Sequence, residues 1–423
     1  MTSKPNQEPL QAARGMNDVL PARAEGYARL ESVARRLFNS FSFKEIRTPV
    51  LEPAALFERA VGAATDIVEK EMFTLKDRGD RLLCLRPEGT AGVVRAFIEN
   101  DPGREFPISK FFYIGPMFRA ERPQKGRYRE FVQIGSECFG NPRPAADAET
   151  IGVAMAVIRG AGVDQAHVLV NSIGCSECRP AYLKKLVDYL KGISGLCEHC
   201  KTRMSKNPLR VLDCKGDASK LEDAPKTVDS LCAACREHYA GVRKLLKMYA
   251  IPYSEQSRLV RGLDYYTRTV FEIYPAGKSG SQDALAAGGR YDDLVGLLGG
   301  TPTPAVGFAL GVERVLNEIE AQNPASEPGR KGVFVVTLGD AAFEPSQKLL
   351  WKLREAGVPS ETGWPDQSIK SQMRLADRLN MEYCVIIGEN EIKSGKYAVK
   401  NLSEQTQRDV QAESVVEAVQ AKK

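Results

Sequence analysis

The sequence predicts an α+β fold: a first domain mixing helices with mainly antiparallel strands, a helical insertion within it, and a small α/β domain at the C-terminal end. Three observations carry the expectation. Helical and alternating segments occur without a repeating strand-helix period as far as Val312 to Ala321. Between Gly174 and Ile251 the texture changes, with seven of the ten cysteines gathered among lysine-rich helical stretches. Finally, Gln322 to Lys331 has the Asn, Pro, Ser and Gly composition of a linker, and a new alternation of strands and helices follows it.

Each element has a local reason. From Glu25 to Phe43, apolar residues at helical spacing (Tyr27, Leu30, Val33, Leu37) predict a helix, and Phe43 to Pro49 reads as a strand ended by proline. Leu82 to Arg86 is a strand, and Pro87-Glu88-Gly89 opens a helix that runs to Glu99. Lys110 to Ile114 and Phe131 to Cys138 alternate like the paired strands of a hairpin. Helix Ala146 to Ala161 and strand His167 to Ile173 follow. After the insertion come strand Val270 to Tyr274, a glycine-rich run and helix Val312 to Ala321. In the last domain, strand Val333 to Leu338, helices Ala342 to Ala356 and Ile369 to Leu379, and strand Tyr383 to Ile387 make a small α/β unit. The expected division is 1–173 and 252–325 for the two parts of the first domain, 174–251 for the inserted module, and 326–423 for linker and last domain.

A chain of 423 residues is long enough for two or three separately cored domains. Its 43% hydrophobic and 27% charged residues are ordinary globular composition, and no stretch approaches the ~20 apolar residues that cross a bilayer. The polar start, Met1 to Leu10, lacks the apolar core of a secretory signal. A soluble, cytoplasmic protein with no membrane partner is expected. A net charge of +5 permits an RNA partner without requiring one. Ten cysteines in a reducing compartment bind metal or stay free more often than they form disulfides.

The most informative segment runs from Phe118 to Gln133, where Arg119, Arg122, Arg127 and Arg129 fall within eleven residues on a hairpin. Arginine there suits phosphate, because its fixed fork of donors matches phosphate oxygens and its charge does not titrate away. Leu85-Arg-Pro-Glu-Gly-Thr90 puts a carboxylate and a hydroxyl at a helix start, where a carboxylate can also simply satisfy first-turn amides. Arg258-Leu-Val-Arg-Gly-Leu-Asp-Tyr-Tyr-Thr267 sets one cation before a glycine, followed by an acid and paired tyrosines. Ala287-Gly-Gly-Arg-Tyr-Asp292 and Ala305-Val-Gly-Phe-Ala-Leu-Gly-Val-Glu-Arg314 let backbone come close to a ligand, although glycine also serves close packing.

The arginine hairpin resembles the second signature motif of class II aminoacyl-tRNA synthetases, and the Arg258 to Thr267 stretch is similar to the signature of their histidyl family. The likeness extends from Arg14-Gly-Met-Asn-Asp18 to the last helix. It implies a class II antiparallel-sheet catalytic domain with a helical insertion, plus a C-terminal anticodon-binding domain, in a homodimer paired through the first long helix. The implied reaction activates L-histidine with ATP and Mg²⁺ and transfers it to the end of tRNA(His). By the same resemblance, Arg119 and Arg261 are the catalytic cations on the α-phosphate, and Arg119, Glu121, Arg127 and Arg314 bind ATP. Glu88, Thr90 and Gln133 hold the α-amino group, Arg261 the carboxylate, and Tyr265, Tyr266 and Glu137 the imidazole. Arg122 and Gln124 face the tRNA acceptor end. A paralogous, non-catalytic histidine sensor, the regulatory subunit of ATP phosphoribosyltransferase, is the alternative. It generally lacks the C-terminal domain and tends to lose the arginine stretch.

Cysteines 175/178, 197/200 and 232/235 form three CxxC pairs, leaving Cys214 single. Linear spacing fits a zinc ribbon of 175/178 with 197/200. An inserted module must leave and rejoin its parent at nearby points, which favours instead a structural Zn²⁺ on Cys175, Cys178, Cys232 and Cys235 stapling the neck. Free thiols remain the third option.

Overall fold

A computed structural model describes residues 10–62, 65, 67–100, 106–122, 127–278, 283–322 and 329–420. The chain divides into two compact units, Met1–Pro324 and Ala325–Lys423. The first is built on an eight-stranded sheet in the order Lys44–Glu45, Ser109–Phe118, Glu130–Phe139, Ala305–Gly311, Ala286–Arg290, Thr267–Pro275, Ala166–Ser172, Tyr253–Glu255. All pairings are antiparallel except those of the two outermost strands. The α+β expectation therefore holds.

Strand periodicity divides the side chains between two faces. Phe112, Phe271, Ile273, Phe308 and Leu310 pack on one side, under helices Pro21–Ser40 and Pro144–Gly160. Leu30, Ala34 and Phe38 form the buried stripe of the first helix, and Phe38 stacks on Phe112 with centroids 4.6 Å apart. Tyr113, Val270 and Phe139 point to the other face, whose core includes Tyr265, Tyr266 and Tyr291. Helices Arg179–Lys191 and Glu198–Lys206 and the short turns at Pro208–Asp213 and Ala218–Leu221 contribute to this second core. The chain leaves the sheet after Ser172 and returns through helix Ala233–Met248, which packs on Pro144–Gly160. It then re-enters the sheet beside the strand it left, with Val168 opposite Tyr253.

The sheet differs from the sequence reading in places. Between Phe43 and Pro49 only Lys44–Glu45 is strand, because the carbonyl of Thr48 is taken by the guanidinium of Arg86 at 2.9 Å rather than by a ladder. The strands Ala286–Arg290 and Ala305–Gly311 occupy what reads as a glycine-rich run. Glycine there makes room: a Cβ on Gly307 would overlap the Glu137 carboxylate across the register pair Gly307↔Glu137. Arg314 lies in the first turn of helix Val312–Gln322, which matches the predicted helix within a residue.

Arg290 belongs to the framework. It and Asp147 are fully buried, joined as an ion pair, and His238 Nε2 lies 3.2 Å from Asp147. Arg290 also donates to the carbonyl of Asn141 at 3.1 Å and to Asp292 at 3.0 Å. Burial would raise the Asp147 carboxyl, but Arg290 and His238 beside it hold it at about 2.

The second unit has a five-stranded sheet in the order Ser360–Thr362, Val333–Thr337, Tyr383–Ile387, Lys396–Asn401, Thr406–Gln411. Its first three strands are parallel and the last two antiparallel. Val333 and Val335 enter one core, Phe334 and Val336 the other, as a two-sided central strand requires. The hairpin Lys396–Gln411 is absent from the sequence reading, because its outer strand is polar on both faces and shows no alternation.

Asp147→Asn leaves the buried Arg290 with Asp292 as its remaining counter-charge and should cost about 3 kcal/mol. Urea unfolding of the first unit's signal checks this, with the double variant Asp147→Leu/Arg290→Met expected to recover part of the loss.

Candidate active site

A cavity of about 1280 Å³ opens on the second face of the large sheet. That is more than most single-ligand pockets require and suits a nucleotide together with a small acid. Arg119, Glu121, Arg127, Gln133 and Arg314 line one part of it. Glu88, Thr90, Arg261, Tyr265 and Tyr266 line another, and His199, Asp213 and Cys214 wall it from the inserted segment.

Each cation is held by a neighbour. Arg119 Nε donates to the carbonyl of Pro87 at 2.9 Å, and its guanidinium lies over the Phe131 ring at 5.3 Å. Arg127 donates to Glu121 at 2.9 Å. Arg314 donates to the carbonyl of Ala284 at 2.9 Å, and its helix is tied to the hairpin by Glu313, which accepts the Val132 amide at 2.8 Å. Arg261 is paired with Glu272, which also accepts the Tyr274 hydroxyl. Burial, followed by repulsion from Arg127 and Arg119, pushes the Arg314 pKa down. Among the described residues, eight arginine and lysine side chains against six carboxyl groups line the cavity, an excess of positive charge that suits a polyphosphate.

Glu88 caps the helix Thr90–Asn100, accepting the amides of Thr90 at 2.7 Å and Ala91 at 2.8 Å. The capping role raised from sequence is thus realised, in a residue that also lines the cavity. Burial pushes its pKa up. The Gln133 Oε1 is buried without a hydrogen-bond partner among the described residues, an acceptor left for an incoming donor. Tyr265 and Tyr266 pack with centroids 4.6 Å apart, and Tyr291 meets Tyr265 edge-on at 5.6 Å.

Glu137 is the exception among the expected histidine contacts. It is fully buried and lies beneath the cavity rather than on its wall, with the Thr90 hydroxyl donating at 2.8 Å and the Tyr291 hydroxyl donating to the other oxygen. In this arrangement the Glu137 carboxyl supports Thr90, which does line the cavity. Arg122 is exposed and outside the lining, and Gln124 lies outside the described residues.

The structure brings Cys175, Cys178, Cys232 and Cys235 together, all sulfurs within 4.8 Å, with Cys178 and Cys232 capping the two helices at the neck. It also gathers Cys197, Cys200, Cys214 and Asp217, so Cys214 is not single. Tyr291 stands inside the Ala287 to Asp292 motif without a role read for it there, and Glu272 and Asp217 carry no sequence signal.

Burial pushes the Glu137 carboxyl up to about 8, against its hydroxyl donors. A folded pKa above the unfolded value means the native state holds a proton that the unfolded chain releases. Stability is therefore lost as pH rises from the unfolded value through about 8, by on the order of a few kcal/mol. Glu137→Gln should melt at a temperature that gains on wild type steadily between pH 5 and pH 8. Parallel melting curves across that window would rule out the assignment.

Two family models match the chain: histidyl-tRNA synthetase over residues 15–315 and anticodon binding domain over residues 332–422. The histidine–tRNA ligase of Halothermothrix orenii is 44% identical over 417 residues, 97% of this chain and 99% of that protein. That of Elusimicrobium minutum is 46% identical over 408 residues, 96% and 98% of the two chains. The crystal structure of apo Staphylococcus aureus histidyl-tRNA synthetase superposes with a TM-score of 0.81 at 33% identity, covering 97% of this chain and 100% of that one. By family model, sequence and structure, the chain belongs to the histidyl-tRNA synthetases.

Proposed function

We propose that the chain activates L-histidine with ATP, taken as its magnesium complex, and transfers the histidyl group to the 3′ end of tRNA(His). The observation that supports this most is the excess of fixed cations beside an unpartnered buried acceptor in one cavity. A histidine carboxylate oxygen attacks the α-phosphorus, forming an O–P bond. The α–β bridging bond breaks and pyrophosphate leaves. Arg119 and Arg261 stabilise charge on the α-phosphate, Arg314 grips the γ-phosphate, and Arg127 with Glu121 completes the nucleotide site. Such preorganised cations, with positioning, supply the rate. No general base is needed, since the attacking carboxylate is already ionised.

Glu88, Thr90 and Gln133 receive the α-ammonium group, Tyr265 and Tyr266 flank the imidazole, and Glu137 positions Thr90. The terminal ribose of tRNA then displaces AMP, with Arg122 and Gln124 near the acceptor stem. The 326–423 unit reads the anticodon, a single-stranded loop of the kind proteins read by stacking and base edges. A cytoplasmic homodimer fits this work, and no described helix is long and apolar enough to cross a membrane. A purely histidine-sensing role is disfavoured, because the catalytic cations and the C-terminal unit are both present.

Zinc fits the neck cluster. Tetrahedral thiolate zinc with Zn–S of about 2.3 Å sets sulfurs about 3.8 Å apart. The separations are 3.8 Å for Cys175–Cys178 and 3.9 Å for both Cys175–Cys232 and Cys178–Cys235. The ion would be structural, with four protein ligands and no open position.

Histidine should support exchange of labelled pyrophosphate into ATP, and the other nineteen amino acids should not. No exchange with histidine in folded, magnesium-supplied protein would falsify the enzyme reading. Arg261→Ala should lower kcat by a hundredfold or so with little change in KM. Because Glu272 is then unpaired, Arg261→Ala/Glu272→Gln is the control: recovery of kcat in the double variant would remove Arg261 from the chemistry.

A further inference from the structure

The geometry points to a second, separate metal site in the inserted segment: a tetrahedral zinc held by Cys197, Cys200, Cys214 and Asp217, which clamps the wall of the substrate cavity. The four ligand atoms lie within 4.8 Å of one another. Cys197 and Cys214 sulfurs are 3.8 Å apart, the edge of a thiolate zinc tetrahedron built on Zn–S of about 2.3 Å. The Cys214 sulfur stands 3.9 Å from Asp217 Oδ2, near the about 3.6 Å that the same tetrahedron gives for a sulfur and a carboxylate oxygen.

The surroundings are those of a ligand set. Cys197 is the N-cap of helix Glu198–Lys206, and its sulfur accepts the Cys200 amide at 3.4 Å, which fixes the sulfur at the start of the helix beside Cys200. Asp217 is only 2% exposed, yet only one of its oxygens is held by a cation, with Lys220 Nζ at 2.8 Å from Oδ1. The other accepts the Cys197 amide at 2.9 Å and faces the sulfurs. Lys220 thus orients the ligating carboxylate from behind, as outer partners do in metal sites. Three thiolates and a carboxylate on a dication carry net charge of minus two, which Lys220 reduces.

The clamp has a consequence for the cavity. Between Cys200 and Cys214 runs the turn Pro208–Asp213, which together with Asn207 before it touches the Arg258 to Thr267 stretch twice. Asn207 donates to Asp264 at 2.6 Å and Arg210 to the carbonyl of Gly262 at 2.7 Å. Just beyond Asp217, the carbonyl of Ala218 accepts Arg258 at 2.8 Å. Closing the cluster fixes both sides of this support, and with it the loop carrying Arg261, Tyr265 and Tyr266. This last step rests on the proposed function, whereas the metal site itself does not.

Zinc is counted by mass spectrometry on full-length protein purified under reducing conditions without chelator. Wild type should carry two zinc per chain, and Cys214→Ala and Cys232→Ser one each. A wild-type count that Cys214→Ala leaves unchanged overturns the site, as does a count of zero. A single wild-type zinc lost in Cys214→Ala but kept in Cys232→Ser upholds it and removes the neck site instead. Should Cys214→Ala fail to fold, cobalt loading of Cys232→Ser decides: a thiolate-to-cobalt band that Asp217→Asn shifts supports the set, and no band overturns it. Activity separates the two readings, since zinc counts stand whether or not pyrophosphate exchange is seen.

Discussion

Gathering the guanidiniums of Arg119, Arg127, Arg261 and Arg314 around one cavity is the constraint on which the rest of the first unit depends. Burial and like charge already press on Arg314. Each arginine is tied by a carbonyl or carboxylate on a different element, so that none can swing to water to escape the others. At Arg314 the like charge is unfavourable until a polyanion enters, which is how a site stores preorganisation at the expense of stability.

Such a cluster needs a stiff support, and the antiparallel sheet provides one. Its face is levelled by glycine where a buried carboxyl comes close, as at Gly307 over Glu137. Two buried acids then serve opposite ends. Asp147 is held charged by Arg290 and joins the sheet to the helices behind it. Glu137 is held toward its neutral form by burial and fixes Thr90 and Tyr291 under the cavity floor. The two differ in whether a guanidinium stands beside them. The inserted segment adds the remaining wall, leaving from and returning to adjacent strands, with cysteine clusters at its neck and at the cavity edge.

Much of this was legible in the sequence, for definite reasons. Long helices with an apolar stripe and strands with alternating burial announce themselves, so Pro21–Ser40, Pro144–Gly160 and the arginine hairpin were found within a few residues. The strands Ala286–Arg290 and Ala305–Gly311 were not, since glycine chosen for close approach erases strand propensity. The cavity residues were gathered by motif, yet motif could not say that Glu137 lies one layer down, because depth depends on which neighbours cover a side chain. Cys214 looked single because its partners lie across the turn Pro208–Asp213, and an aspartate completing a cysteine set has no spacing rule to reveal it.

Thermal melting of wild type and Arg314→Met, with and without ATP and magnesium, tests the central claim that like charge pressing on Arg314 prepares the phosphate site. Methionine keeps much of the volume and removes one charge. The account predicts a ligand-free Tm at or above wild type and loss of most of the rise that ATP gives the wild-type protein. A variant that melts lower without ligand and is still stabilised by ATP as wild type is would contradict it.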